Sequence, residues 1–401
     1  MNVLCYDPYW TGHHYDYIQH VASLGPSCID NVGRLSFLVH DSIAEKLFSD
    51  KEINHEAISI IPLSAAMGSQ FNPSMSLWSS FQQLKLVNKI SKKIAANHVV
   101  FLYLPDPLQL ALSVAPRWLF GVRYSAIMFN PWAGFGKGNI AHYYRWRRHI
   151  QRILLTARRN VKNIAIVGDL EAPELLNVRH KTQVFSYIPD PTRIPEISRD
   201  VDVQESMLEE NISREKRVRL LLFGSLTKRK GLYTVIEALA SMSLGELSKI
   251  HVTLAGRVPA TEIKEVCRRC SMIKALDWNS IDMEFEFVSR DRMSELFNDA
   301  DYILLPYERT EASSGVLGYA AAYCRPVIAG GGGQVGNLVT QFKLGMSMPL
   351  LDSKSLAYTL GLLGAEQIAV TYDRDLRLQF LETRSPSNFV RGILEPIMMG
   401  N

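Results

Sequence analysis

The stretch from Asp301 to Gly333 constrains the fold more than any other part of the sequence. One short apolar run, Tyr302–Leu305, stops at a proline, and another, Val327–Ala329, stops at four glycines. Both runs predict buried strands. Between them, Val316–Tyr323 consists of small and apolar residues without a helix breaker, which predicts a tightly packed helix. A strand–loop–helix–strand unit is typical of a parallel sheet, with the loop at the carboxyl edge of the sheet.

The loop before this predicted helix favours an anion. Ser313, Ser314 and Gly315 suit the N-cap region. The backbone amides that follow, as far as Val316, and the helix dipole favour a phosphate. Glu311 lies just before those amides, and a carboxylate cannot pair with a phosphate. It suits the hydroxyl groups of a sugar that is attached to the phosphate.

A second loop in the same half of the chain is rich in positive charge. The predicted strand Arg219–Phe223 runs into Gly224-Ser225-Leu226-Thr227-Lys228-Arg229-Lys230-Gly231, and a helix is predicted over Leu232–Ala240. A flexible glycine, three successive cations and a helix N-terminus together favour the capture of an anion. A solvated loop explains the three cations equally simply, but their position between a strand and a helix favours phosphate binding.

These two segments resemble the donor-binding region of family 4 retaining glycosyltransferases, which have the GT-B fold. The family signature E-x7-E, followed by G-x-PVIA, is matched at Glu311 and at Arg325–Ala329, with Tyr319 in place of the second Glu. The family loop G-R-x(4–5)-K-G is matched at Lys230-Gly231, with Ser225 in place of the arginine. The resemblance is specific over residues 218–363 and only architectural over residues 1–190.

The resemblance implies roles for individual residues. The first Glu of the family contacts the donor hexose and its Lys grips the diphosphate, so the predicted catalytic residues are Glu311 and Lys230. Arg229 or Lys228 would supply the charge that Ser225 lacks, and the Tyr319 hydroxyl would replace the ribose contact of the second Glu. The nucleotide base is expected near residues 288–290. The predicted substrate-binding residues are Gly12, His13, Ser225, Arg229, Val288, Arg290, Ser313, Ser314, Gly315, Val316 and Tyr319.

The first half of the chain alternates predicted strands with helical stretches, which indicates a second parallel sheet with helices on both faces. Its opening strand, Val3–Tyr6, is followed by a loop with Gly12, His13 and His14 that lacks G-x-G-x-x-G, so a dinucleotide site is not indicated. In GT-B enzymes this loop lies near the transferred sugar, and surface histidines are the alternative interpretation. Many relatives have an acceptor-facing His where this chain has Asn130, which cannot act as a base.

The positive charge of the chain is local. The net charge is only +4, yet residues 107–168 contain ten Lys or Arg and no Asp or Glu. Much of it falls on the predicted helix His142–Arg159, where Arg145 and Arg148 alternate with aromatic residues. This helix suits an anionic membrane surface or an acidic acceptor, and a solvated helix face explains it as well. No nucleic-acid recognition module accompanies the charge.

Cysteines and hydropathy exclude several classes. Five cysteines without a secretory signal fit a reducing cytosol, and Cys267-Arg-Arg-Cys270 lacks the second pair that zinc needs. No apolar run approaches the ~18 residues of a membrane span. No cofactor and no metal is expected, because Lys230 and a helix N-terminus can neutralise a leaving diphosphate. The expected location is the cytoplasm, with peripheral attachment to the inner membrane face.

The sequence therefore predicts an α/β protein with the GT-B fold, in which two Rossmann-like domains face each other across a cleft. The domains are residues 1–194 on the acceptor side, a linker at 195–217, residues 218–385 for the nucleotide sugar, and a last helix at 386–401 that crosses back. The expected activity is metal-independent, retaining transfer of a hexose from a nucleotide-diphosphate sugar to a lipid-linked glycan in surface polysaccharide synthesis. The alternatives are a degenerate binding or scaffold subunit, or another GT-B sugar-nucleotide enzyme.

Overall fold

The computed structural model describes residues 1–10, 14–28, 33–64, 67, 71, 76–129, 139–192, 217–307, 314–349 and 351–398, with backbone only for 139–145. The chain forms two compact units. The first comprises Met1–Pro191 and Ser385–Asn401, and the second comprises Thr192–Arg384.

Within the described residues, the first unit contains a seven-stranded parallel sheet in the order β3-β2-β1-β4-β5-β6-β7. Its strands are β1 Asn2–Asp7, β2 Arg34–His40, β3 Ile58–Leu63, β4 His98–Phe101, β5 Arg123–Met128, β6 Val161–Val167 and β7 Phe185–Ile188. Its helices are α1 His14–Cys28, α2 Asp41–Ser49, α3 Leu77–Lys93, α4 Asp106–Val114, α5 Asn139–Thr156, α6 Ala172–His180 and, from the end of the chain, α15 Pro386–Met398.

The second unit contains, in its described part, a six-stranded parallel sheet in the order β10-β9-β8-β11-β12-β13. Its strands are β8 Val218–Phe223, β9 Ile250–Ala255, β10 Ile281–Glu284, β11 Tyr302–Leu305, β12 Val327–Gly330 and β13 Gly345–Met348. Its helices are α7 Leu232–Ser241, α8 Leu244–Leu247, α9 Ile263–Leu276, α10 Arg290–Asp299, α11 Gly315–Ala322, α12 Gly333–Gln341, α13 Ser353–Gly364 and α14 Arg374–Thr383.

Both sheets are covered on both faces, because successive side chains of a strand point in opposite directions. In β1, Val3 and Cys5 pack into the layer of α1, α2 and α15, while Leu4 and Tyr6 pack into the layer of α3 and α4. In β8, Leu221 packs on one face of the sheet, and its chain neighbours Leu220 and Leu222 pack on the other face. The predicted α/β class with two Rossmann-like sheets is thus confirmed.

A further run in the sequence, Phe285–Val288, predicts a strand of this sheet, and that prediction is wrong. The strand is β10, Ile281–Glu284, which pairs with β9 from Ile281↔Val252 to Glu284↔Ala255. This is an edge strand, so only alternate residues need to be apolar, and its Asp and Glu hid it from a search for apolar runs. Phe287, which suggested the strand, is 76% exposed and lies beneath the Arg257 guanidinium.

Helix α5 carries the predicted basic segment, but three of its arginines face the protein. Arg147 and Arg148 contact Asp106 of α4, and Arg152 is 3% exposed. Burial lowers the pKa of Arg152 to about 10. The exposed face of α5 instead carries Trp146, Ile153 and Leu154, which helical spacing places on one side. None of the helices in the described part of the chain is long and apolar enough to span a membrane.

Candidate active site

The second sheet reverses its strand order between β8 and β11, which are neighbours although β9 and β10 lie between them in the chain. Open parallel sheets bind ligands at the carboxyl ends of strands where the order reverses. The two segments at this point are residues 224–231, after β8, and the residues from Pro306 to the start of α11. Both segments are the ones that the sequence predicts to bind an anion.

The segment after β8 folds back tightly on the sheet. Lys228–Lys230 forms one turn of 3-10 helix, and Gly231 ends it with φ +77. A Cβ on Gly231 would lie 1.9 Å from the carbonyl oxygen of Pro306. Only glycine combines this left-handed conformation with such close backbone contact. The Lys-Gly pair therefore fixes the position of the 3-10 turn against β11.

Lys230 is the cation of this turn that points toward the strand ends. Its Nζ lies 5.3 Å from the centre of the Tyr307 ring, a cation–π contact. A Cβ on Gly224 would meet Lys230 Nζ at 3.5 Å and Val316 Cγ2 at 3.8 Å, so the ammonium and the start of α11 flank the same open glycine. Arg229 and Ser225 are exposed, whereas Lys230 is half-buried.

The N-terminus of α11 lies beside this ammonium. Ser314 occupies the N-cap position, as predicted, but its hydroxyl pairs with the Tyr307 hydroxyl at 2.8 Å and does not cap the helix. Helix geometry leaves the amides of Gly315 and Val316 without intrahelical acceptors. The arrangement gathers a cation and helix N-terminal amides around Gly224, which is suited to an anion.

Two other predicted binding residues, Tyr319 and Val288, pack against the core in this structure. The Tyr319 ring is half-buried against the core and lies 6.2 Å from the Phe297 ring, centre to centre. Val288 packs against the same core cluster. Arg290 begins α10, and the preceding residue, Ser289, caps that helix by accepting from the Arg292 amide at 3.2 Å.

Four predicted site residues, Gly12, His13, Glu311 and Ser313, lie outside the described residues, as does Asn130. The roles of all the predicted site residues stay predictions. Within the described part of the chain, no group of three or more His, Cys, Asp and Glu side chains is arranged to hold a metal ion.

Two residues of this edge, Tyr307 and Gln334, were not predicted from the sequence. Tyr307 joins the two segments by contacting both Lys230 and Ser314, and its position directly after Pro306 at a strand end was the available signal. Gln334, in the first turn of α12, has both amide atoms buried without a hydrogen-bond partner among the described residues. Buried polar groups of native proteins normally have a hydrogen-bond partner, so Gln334 is an additional candidate for a polar contact at this edge. No sequence pattern identified it.

The part of the chain that carries this geometry matches a known protein family. Residues 217–363 match the model of the family described as glycosyl transferases group 1. No curated protein sequence matches the chain significantly. The matched residues contain the 3-10 turn with Lys230, helix α11 and the glycine-rich start of α12.

Solved structures match the whole chain in fold. HepE of Anabaena, solved in complex with UDP, is 13% identical, with 100% of each chain covered and a TM-score of 0.67. A glycosyltransferase from Rickettsia africae is 17% identical over 100% of this chain and 99% of its own, with a TM-score of 0.65. WaaG, a glycosyltransferase involved in lipopolysaccharide biosynthesis, is 16% identical over 100% and 98%, with a TM-score of 0.60.

Identities this low establish the fold alone. The expected GT-B fold is confirmed by these neighbours together with the two parallel sheets. The family model matches about a third of the chain, over the unit that carries the anion-binding geometry. Residues 217–363 are thus similar to glycosyl transferases group 1, and the whole chain shares the fold of these solved structures.

Proposed function

We propose that the protein transfers a hexose from a nucleotide-diphosphate sugar to an acceptor hydroxyl, with retention of anomeric configuration. The observation that carries this proposal is the position of the Lys230 ammonium. It flanks Gly224 together with Val316 of the α11 N-terminus. A donor diphosphate needs such a combination of one mobile cation and fixed backbone amides.

In this proposal Lys230 stabilises the leaving diphosphate. Negative charge on the leaving oxygens grows as the bond to the sugar breaks, so a fixed cation stabilises the transition state more than the ground state. The amides of Gly315 and Val316 bind the phosphate nearest the sugar, and Ser314 lines the same place. Ser313 is assigned to this place by the sequence alone. Tyr307 holds Lys230 by its ring face and Ser314 by its hydroxyl, so it keeps the two halves of the phosphate site together.

The sugar end of the donor is assigned to Glu311 by the resemblance alone. Its carboxylate would orient the hexose through the hydroxyl groups and support positive charge developing on the ring. Arg229 adds positive charge to the turn that contains Lys230. Ser225, Val288 and Arg290 are assigned to the nucleotide part of the donor. HepE is solved with UDP and with UDP-glucose, and these ligands indicate which donors to try first.

The test is a donor panel. The purified chain is incubated with UDP-, GDP-, ADP- and dTDP-sugars, nucleoside diphosphate release is measured, and affinity for each nucleoside diphosphate is determined by calorimetry. We expect one base to bind best and its sugar nucleotide to be hydrolysed slowly without an acceptor. Tight binding with no hydrolysis or transfer would favour the degenerate binding subunit. Absence of binding to every nucleotide would overturn the proposal.

We also propose that the acceptor is lipid-linked and that the first unit reaches it at an anionic membrane surface. The support comes from the exposed apolar side chains of adjacent helices: Val114 of α4, Trp146 and Leu154 of α5, and Val178 of α6. Exposed basic residues accompany them, among them Arg179. Apolar side chains beside positive charge suit the headgroup region of anionic lipid.

Vesicle sedimentation tests this second proposal. Binding should require anionic phosphatidylglycerol and should fall as salt is added. The double change Trp146→Ser/Leu154→Ser should lower the bound fraction at least several-fold, because burying each side chain contributes about 1.5–3 kcal/mol. Trp278→Ser is the control, since Trp278 is also well exposed but lies in the second unit. Equal recovery on neutral and anionic vesicles would sink the membrane proposal and leave the donor chemistry standing.

A further inference from the structure

Positive charge is concentrated where helices α5 and α6 of the first unit meet. Helix α5 contacts both α4 and α6. On α5, Arg152 follows His149 by three residues and Arg148 by four, so the three side chains share one side of the helix. Helix α6 ends with Arg179 and His180. We call these five residues the cationic cluster.

The two histidines of the cluster bring the helices together. Their ring centres are 5.0 Å apart with the planes inclined by 38°, and both residues are half-buried. Nδ1 of His149 and of His180 is buried without a hydrogen-bond partner among the described residues, and so is Nε of Arg148. Buried polar groups of native proteins normally have a partner. The cluster therefore has three nitrogen atoms that a ligand can satisfy.

Asp106 of α4 is the carboxylate that contacts the cluster on its α4 side. It lies 3.3 Å from a terminal nitrogen of Arg148 and also contacts Arg147, outside the cluster. On the α6 side, burial and then the positive charges of its neighbours in the cluster lower the pKa of His180 to about 4. Half-buried like charges destabilise a protein unless an anion compensates them. A bound anion would remove this repulsion.

We propose that the cationic cluster binds a phosphate group. A phosphate monoester carries a charge of about −1.5 to −2 at pH 7 and has three strong acceptor oxygens. The forked guanidinium of arginine matches these oxygens, and a protonated imidazole donates from both ring nitrogens. Arg179 is exposed whereas Arg152 is 3% exposed, so the cluster extends from the surface inward. The inference goes beyond the proposed transfer reaction and does not depend on it.

Packing within the first unit explains only part of the cluster. Arg179 and His180 lie in the last turn of α6, where the helix dipole favours positive charge. The dipole gives no reason for the two arginines of the cluster on α5, nor for the unsatisfied Nδ1 of His149. An anion between the helices accounts for both.

Titration calorimetry with inorganic phosphate at low salt tests the site. All chains carry Lys230→Ala, so that phosphate does not bind at the donor site proposed in the second unit. The double change His180→Gln/Arg179→Gln removes two members of the cluster. Its control, His55→Gln/Arg159→Gln, removes an exposed histidine and an exposed arginine elsewhere in the first unit. We expect the cluster variant to bind phosphate at least about tenfold more weakly, the effect of losing one charge-assisted hydrogen bond, and the control to bind it as the parent chain does.

Proton NMR of the histidine rings locates the bound phosphate. Saturating phosphate should raise the pKa of His180 by about 1 or more, because a nearby opposite charge favours the imidazolium. The charged groups that face His180 are His149 and Arg152 of α5 and Arg179 of its own helix. The pKa of the exposed His55 should not move. A purely structural role would leave the titration of His180 independent of phosphate.

Vesicle sedimentation distinguishes two sources of the phosphate, a lipid headgroup and a soluble compound. Val178, beside Arg179, is 74% exposed, which favours the lipid. We expect vesicles with phosphatidic acid, a phosphomonoester, to bind more protein than vesicles of equal charge with phosphatidylglycerol, and inorganic phosphate to displace the protein. Vesicle binding that phosphate does not affect would support the same site with a soluble phosphorylated ligand.

Two results would overturn the proposal. One is equal phosphate affinity in the cluster variant and its control, and the other is an unchanged pKa of His180 at saturating phosphate. If His180→Gln/Arg179→Gln melts well below the parent chain, the NMR titration of the parent alone decides. Nucleoside diphosphate affinity of the wild type is measured separately, so failure of this site leaves the proposed transferase intact.

Discussion

The carboxyl edges of the two sheets have the same topology and opposite chemistry. At the reversal between β8 and β11, glycine and backbone approach one another closely and a lysine supplies charge. At the reversal between β1 and β4, Asp7 pairs with His14 among aromatic rings. The first arrangement suits an anion and the second an uncharged ligand.

This difference indicates that the topology of a sheet determines where a ligand can bind, whereas the residues at that edge determine which kind of ligand is suited to it. A parallel sheet offers one crevice wherever its strand order reverses. In the second unit, small residues let the main chain itself form the site. In the first unit, side chains fill the corresponding place at the end of the strands. The comparison predicts that backbone changes should damage the second edge most and side-chain changes the first.

The largest expected effect comes from Gly231→Ala. The new Cβ would meet the Pro306 carbonyl oxygen at 1.9 Å, and φ of +77 is unfavourable for alanine by about 1–2 kcal/mol even without the clash. We expect the second unit to lose more than about 2 kcal/mol of unfolding free energy and nucleotide binding to be abolished. Urea unfolding and calorimetry measure the two effects.

Gly245→Ala is the matched control for this change. Gly245 lies in α8, and a Cβ there would meet no atom within 4 Å. This substitution should be neutral or stabilising by up to about 1 kcal/mol. If Gly231→Ala behaves like Gly245→Ala, the close approach of the 3-10 turn to β11 is not needed for the site.

The next effect is that of Lys230→Ala on the donor. Loss of the ammonium should raise KM and lower kcat, together by about 2–4 kcal/mol in kcat/KM, since the charge on the leaving group grows in the transition state. Steady-state kinetics with the best donor measures this. The control is Lys274→Ala, which removes a surface lysine that pairs with Asp282. It should leave KM and kcat for the donor unchanged. Unchanged kinetics in a folded Lys230→Ala would move the role to Lys228 or Arg229.

The sequence predicted the second edge better than the first for a physical reason. Glycines, a Lys-Arg-Lys run and a small-residue helix form a local pattern, because the backbone of two short segments makes the site. The Asp7–His14 pair spans only seven residues, yet nothing in the spacing showed that Asp7 would be buried with its oxygens turned inward. Tyr307 and Gln334 were missed because their roles depend on packing between segments.

Strand positions show the same limit. The central strands β8 and β11 are buried on both faces, so their sequences are apolar runs. Their positions were therefore predicted correctly. The edge strand β10 alternates, and the apolar run near Phe287 was mistaken for it. Arg148 and Arg152 were expected on a basic surface. The structure places both against the protein because α4 offers Asp106 and α5 packs closely there.

Acid should weaken the first unit more than the second. His98 of β4 is buried against the Ser125 hydroxyl, and burial, then the nearby Lys162 and Arg123, lower its pKa from 6.5 to about 3. Below pH 6.5, His98 therefore binds a proton in the unfolded chain but not in the folded chain. Stability falls by about 1.4 kcal/mol per pH unit through this residue, or about 2 kcal/mol between pH 6.5 and pH 5.

Urea unfolding at pH 7 and pH 5, followed by tryptophan fluorescence, measures this loss. Five of the six tryptophans precede residue 192, so the signal reports mainly on the first unit. His98→Asn should have a flatter dependence on pH, whereas His55→Asn, a change at an exposed histidine, should keep the wild-type slope. Equal slopes in wild type and His98→Asn would contradict the assignment.

The smallest effect distinguishes a ligand contact from packing within α11 itself. If the Tyr319 hydroxyl replaces the ribose contact of the missing Glu, Tyr319→Phe should weaken nucleoside diphosphate binding by about 0.5–1.5 kcal/mol, the usual net contribution of a hydrogen bond. Stability should change little.

Tyr323→Phe is the matched control, because the buried Tyr323 hydroxyl pairs with Ser294 at 2.6 Å. It should lower unfolding free energy by about 1 kcal/mol and leave affinity unchanged. Titration calorimetry and urea unfolding of both variants give the answer. Unchanged affinity in Tyr319→Phe would make this residue part of the core beside Phe297, and α11 would then contact the donor only through its N-terminus.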